Sequence, residues 1–132
     1  MRTIGIMLTA SALAACTTGP EPQSRSAEAE AKLQQTLAGR VAGEPMTCLP
    51  RWNRDNMIVI DDDTILFKEG STVYRNELQG DCNRLSSGFY TLVTRSPLPS
   101  LCRGEIARVV DLRTDTMVGS CAIGDFVPYT RS

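Results

Sequence analysis

Between residues 26 and 38 the apolar positions recur at helical spacing. Ala29, Leu33 and Leu37 form one stripe, with charged and amide side chains between them. Ser26 is placed to cap the first turn, Glu28 and Glu30 suit its positive end, and Glu28 and Lys32 are four residues apart. Gly39 follows as a stop. The stripe is narrow and predicts a helix lying against a larger domain. From Met46 onward the period shortens to that of strands. Met57-Ile58-Val59-Ile60 and Thr64-Ile65-Leu66-Phe67 flank Asp61-Asp62-Asp63, which reads as a hairpin. Further strands are expected in Ser71 to Leu78, Gly88 to Val93, Glu105 to Leu112 and Thr116 to Ile123, with Arg113-Thr114-Asp115 turning between the last two. Pro97 and Pro99 mark a loop, and Phe126, Val127 and Tyr129 close the chain beside Pro128. The fold class expected is mainly β: a small antiparallel sandwich or barrel with one N-terminal helix.

The first residues break this pattern. After Met1-Arg2-Thr3, an apolar and small-residue run from Ile4 to Leu13 has the length of a signal-peptide core and is too short to span a bilayer. Leu13-Ala14-Ala15-Cys16 resembles the lipobox of bacterial lipoproteins. That resemblance implies diacylglycerol on the Cys16 thiol, cleavage before Cys16 and acylation of the new amine. Thr17 rather than Asp follows, which by resemblance to lipoprotein sorting implies the outer membrane, facing the periplasm. Thr17 to Ser24 reads TTGPEPQS, a tether with no aliphatic residue. The expected organisation is a signal peptide over 1–15, a tether over 16–25, a helix over 26–39 and a β domain over 40–132.

The whole chain has a formal charge of −1. Loss of residues 1–15 removes Arg2 and no acid, so the balance becomes −2. Neither this nor an export signal supports nucleic-acid binding. Four cysteines remain beside Cys16: Cys48, Cys82, Cys102 and Cys121. An even number in an oxidising compartment reads as two disulfides. Three connectivities exist. The expected one is Cys82–Cys102 with Cys48–Cys121, the second tying the first strand to one near the end. In the chain-entropy model each bridge contributes about 3 to 5 kcal/mol, which matters to a domain with a modest core. Close cysteine pairs and histidines, the usual zinc and redox signatures, do not occur, so no metal or cofactor is expected.

Asp-Cys-Asn-Arg-Leu at 81–85, Leu-Cys-Arg-Gly-Glu at 101–105 and Cys-Ala-Ile-Gly-Asp-Phe at 121–126 stand beside the lipobox and a Cys near the first strand. Together they resemble a group of small proteobacterial envelope lipoproteins of unknown function. The resemblance covers roughly Thr47 to Tyr129. It implies a disulfide-stapled β domain and brings no catalytic residues.

Candidate chemistry is sparse. Asp61-Asp62-Asp63 lacks the spaced acids, Gly and distal Glu of a calcium loop and reads as a solvated hairpin tip. Arg51-Trp52-Asn53-Arg54 holds the only Trp. Arg51, Trp52 and Arg54 are the candidate contacts for a partner or glycan, since aromatics and Arg are enriched at hot spots. The plainer reading folds Trp52 inward against the β core near Cys48. Serines lack a histidine base, and Lys32 and Lys68 are the only lysines for a Ser–Lys pair. The expectation is therefore a lipid-anchored, non-enzymatic envelope protein that binds an envelope protein or cell-wall component, or acts structurally. The alternatives are a small hydrolase using two carboxylates and a β-barrel ligand carrier. Facing acids in a groove would mark the hydrolase; an apolar or Trp–Arg patch would mark the binder.

Overall fold

In a computed structural model, the structure describes residues 25–49, 51, 54–95 and 100–131, with the side chains of Arg54 and Asp81 left aside. The leader segment, Cys16, Trp52 and the Pro97–Pro99 loop lie outside the described residues. In chain order the elements are α1 (Ala27–Leu37), β1 (Arg40–Ala42), β2 (Cys48–Leu49), β3 (Met57–Val59), β4 (Thr64–Glu69), β5 (Thr72–Glu77), β6 (Gln79–Asp81), β7 (Tyr90–Thr94), β8 (Leu101–Cys102), β9 (Ile106–Asp111), β10 (Thr116–Ala122) and β11 (Phe126–Arg131). Single 3-10 turns occupy Arg54–Asn56 and Leu85–Ser87.

The helix forms as its sequence predicts. The Ser26 hydroxyl accepts the Ala29 amide at 3.2 Å, and Gly39 leaves the helix at φ +74°. All strand pairings are antiparallel. One sheet has the order β1-β11-β5-β4-β3, the second β6-β10-β9-β7, and β2 with β8 makes a two-stranded ribbon. The sheets are open, so of the two expected architectures the sandwich is the one adopted. Both expected hairpins, β3–β4 and β9–β10, form.

Ile65, Phe67 and Phe126 of the five-stranded sheet meet Leu92, Ala107, Val109 and Cys121 of the four-stranded sheet in the main core. On the far side of the five-stranded sheet, Ala29 and Leu33 of α1 pack on Ile60, Leu66 and Val73. The molecule therefore has three layers: helix, five-stranded sheet, four-stranded sheet. This explains why Thr64 to Phe67 are all buried although neighbouring strand residues point to opposite faces. The helix also covers one sheet edge, where Lys32 Nζ donates to the Val59 carbonyl at 2.8 Å.

Pro128 sits in β11, between two partner strands. Its carbonyl accepts the Gly43 amide at 2.7 Å, just past the end of β1. The missing N–H faces that same side, where the ladder has ended, so little pairing is lost.

The disulfides differ from the expected pairing. Cys48 bonds Cys102, and Cys82 bonds Cys121. Cys48 belongs to the short ribbon rather than to a main sheet, and the ribbon's register sets it directly opposite Cys102. Gly80 opposes Cys121 across β6 and β10, which brings Cys82, just past β6, to the same bridge. Cys82 and Cys121 are buried in the main core, while Cys48 and Cys102 are half-buried.

Candidate functional site

The Asp61–Asp63 turn is not a solvated tip; it is the junction of the three layers. Asp61 Oδ1 accepts the amides of Asp63 and Thr64 at 2.9 and 2.8 Å, closing the turn locally. Its Oδ2 accepts Arg25 Nε at 2.8 Å, and Arg25 stands just ahead of α1. Asp62 reaches the other way. It accepts the Ser86 amide at 2.9 Å and the Ser86 hydroxyl at 2.7 Å, gripping the turn that leads into β7. The Asp63 carbonyl accepts the Leu78 amide at 2.7 Å. Sequence reasoning missed this role because Ser86 and Arg25 lie 24 and 36 residues from their partners along the chain.

Arg25 spends its donors inside this junction. Besides Asp61, it donates to Glu30 at 3.1 Å and to the buried Thr64 hydroxyl at 2.7 Å. Thr64 in turn donates to Glu77 at 2.7 Å, and Arg75 Nε donates to Glu77 at 2.7 Å. Burial alone would push the Asp61 carboxyl up. The hydrogen bonds from Arg25 and the two amides outweigh it and hold the group below the usual carboxylate range. Asp63 goes the other way: partial burial and the charges of Asp61, Asp62 and Glu77 raise it. Opposed shifts in neighbouring carboxyls are an acid–base signature. Here, however, Asp61 is committed to two amides and a guanidinium, a bracing role. Among the described residues, no group of three or more Asp, Glu, Cys or His is placed to hold a metal ion. Asp61 and Asp62 point to different layers, so the three carboxylates do not converge.

A second constellation lies on the four-stranded sheet. Its inner face is core; its outer face has no layer over it among the described residues. Ile106 of β9 is 59% exposed and Met117 of β10 is 56% exposed. A register shift between Met117 and Gly119 inserts Val118 as a bulge, so that Met117 and Val118 both face solvent. Phe89 and Leu112, at the end of the sheet where β9 turns into β10, are exposed as well. The Phe89 ring is overlaid by the Arg113 guanidinium 4.6 Å from its centroid, and Asp111 holds Arg113 at 3.0 Å. Beside Ile106, a shallow depression is lined by Val93, Arg95, Glu105 and Arg108.

A third feature is a cleft of about 290 Å³ beside α1, lined by Arg25, Glu30, Gln34, Arg40, Arg75 and Tyr129 among others.

Of the sequence-predicted site residues, Cys16 and Trp52 lie outside the described residues, as does the Arg54 side chain. Arg51 is exposed. The four remaining cysteines all form disulfides, in the corrected pairing. Neither the exposed sheet face nor the arginine cleft was foreseen. The first is hidden because Ile106 and Met117 look like core residues. The second is hidden because its arginines come from separate elements: Arg25 from just ahead of α1, Arg40 from β1 and Arg75 from β5. No protein-family model matches this chain, and no curated protein or solved structure shows significant similarity to it.

Proposed function

We propose that this is a lipid-anchored cell-envelope protein, held at the outer membrane through Cys16, whose β domain binds a partner protein through the outer face of the four-stranded sheet. The lipobox resemblance supports the anchor. One observation carries the binding role. Six large hydrophobic side chains are exposed among the described residues, and all but Val41 lie on β9 and β10 or at their end of the sheet. Scattered exposed hydrophobics are ordinary, whereas a group gathered on the strands and end turn of one sheet is the mark of an interaction surface. From Cys16 to Arg25 is nine residues, a reach of at most about 30 Å. The domain thus stays near the bilayer while the sheet face, on the layer opposite α1, is free to meet a partner.

The test is affinity recovery from cross-linked envelopes, comparing the natural chain with an Ile106→Asp, Met117→Asp variant. Discrete partner bands should disappear from the variant while its melting temperature holds. Equal recovery of the same proteins by both would overturn the assignment. Cys16→Ser should in parallel abolish palmitate labelling; a variant that still labels removes the anchor but leaves the sheet-face result standing.

A further inference from the structure

The cleft beside α1 is a different surface from the proposed partner face and has its own chemistry. The helix covers only part of the five-stranded sheet, over Ile58, Ile60, Leu66 and Val73. Beyond it the same face continues across β5, β11 and β1. Tyr129 opposes Val73 in register, so its side chain lies on the helix side, and Arg75, two residues from Val73, lies there too. Ala42 opposes Tyr129 and Arg40 opposes Arg131, which brings both of these arginines to that face. Four guanidiniums, from Arg25, Arg40, Arg75 and Arg131, therefore border one strip beside the helix.

Their donors are not equally spent. Arg25 is committed to Asp61, Glu30 and Thr64. Arg75 gives its Nε to Glu77 and lines the cleft together with Tyr129. Arg40 donates one Nη to the Ser71 carbonyl, but its Nε is buried with no partner among the described residues. A buried guanidinium donor without a partner is costly unless an acceptor arrives. Asp61, Glu30 and Glu77 pair with Arg25 and Arg75, which leaves Arg40 and Arg131 as the charges that keep the strip net positive. Leu33 and Leu37 give the cleft an apolar wall.

We propose that this cleft is an oxyanion site that takes a phosphate ester, with Arg40 as its principal donor. A carboxylate is satisfied by one guanidinium fork, whereas a tetrahedral phosphate accepts from several guanidiniums approaching from different strands. Arg40 and Arg75 line the cleft from β1 and β5 with Tyr129 of the intervening β11, and Arg131, opposite Arg40 in register, stands at its border. The phosphate comes either from a soluble ester or from a lipid headgroup of the membrane.

The experiment follows the arginine Nε–Hε resonances of the whole protein in neutral detergent at fixed ionic strength. Inorganic phosphate, glycerol phosphate and phosphatidylglycerol doped into the micelles are the probes. The Arg40 resonance should shift saturably, and Arg40→Gln should weaken binding about tenfold, the usual effect of losing a hydrogen bond to a charged group. Saturation by glycerol phosphate assigns a soluble ester, and a response to phosphatidylglycerol alone assigns a headgroup; either supports the site. A response to no probe, or equal shifts at the distant Arg95 and Arg113, overturns it. Should Arg40→Gln not fold, the exposed Arg131→Gln serves in its place, and an unchanged affinity there counts against the proposal.

Discussion

Strands β4 and β9 are both six residues long and apolar at half or more of their positions, and they have opposite fates. Thr64-Ile65-Leu66-Phe67 is buried on both faces; Ile106-Ala107-Arg108-Val109-Val110 is buried on alternate residues only. The difference is one layer. Helix α1 lies over β4, whereas no described element lies over β9. Leu66 is fully buried and Ile106 mostly exposed, although both are aliphatic residues on the outer face of their sheet. Where the helix lies over it, the five-stranded sheet has spent its outer face on stability. The bare sheet keeps apolar side chains that contribute little to folding, and a side chain with little folding role is available for recognition.

The largest test of this contrast is a pair of truncations. Leu66→Ala should cost about 2 to 5 kcal/mol, because it opens a cavity between helix and sheet. Ile106→Ala should stay within about 0.5 kcal/mol. Urea melts of both variants measure the gap, and equal costs would erase the distinction between the sheets.

A smaller effect concerns what fastens the helix layer. Arg25→Gln should cost about 1 to 2 kcal/mol at neutral pH, the range for a partly exposed charge-assisted network. Asp61 has a depressed pKa in the folded state. Its contribution is therefore complete above the unfolded value, about pH 4, and is lost as the pH falls through the folded value. The stability gap between the natural chain and Arg25→Gln should be flat from about pH 5 to 8 and shrink below about pH 4. A gap that persists unchanged at pH 2.5 would show that Arg25 acts through packing alone.

The smallest effect has the opposite sign. Asp63 is raised in the folded state by partial burial and three nearby acids, so its charged form opposes folding at neutral pH. Asp63→Asn should add a few tenths of a kcal/mol at pH 7, about a degree or two in melting temperature. The gain should vanish below about pH 3, where the acid is protonated in both states.

Much of this fold was legible in the chain. The helix boundaries follow from Ser26 and Gly39, and both long hairpins follow from β-branched runs around polar turns. What was hidden is whatever depends on contacts distant in sequence. β2 and β8 are two residues each, too short to show alternation, and with them went the disulfide pairing. The Asp61–Asp63 turn carries acid after acid and reads as solvent-facing; only the approach of Arg25 and Ser86 makes it a junction. The buried Asn76 would read as an exposed polar strand residue. In the fold its amide donates to the Gly124 carbonyl at 2.8 Å and accepts the Gly124 amide at 2.9 Å. A Cβ at Gly124 would sit 2.2 Å from the Glu77 carbonyl oxygen, so that position requires glycine. The candidate sites were least legible, because an exposed Ile or Met carries no mark in the sequence of the layer it lacks.

The central claim, that the bare sheet is the recognition surface, is tested most directly by a photo-crosslinking amino acid placed at single positions in living cells. At Met117 and Ile106 it should give discrete adducts with a partner protein. At Gln35, on the exposed side of α1, it should give none. Adducts at Gln35 with silence at Met117 and Ile106 would contradict the account and assign recognition to the helix layer instead.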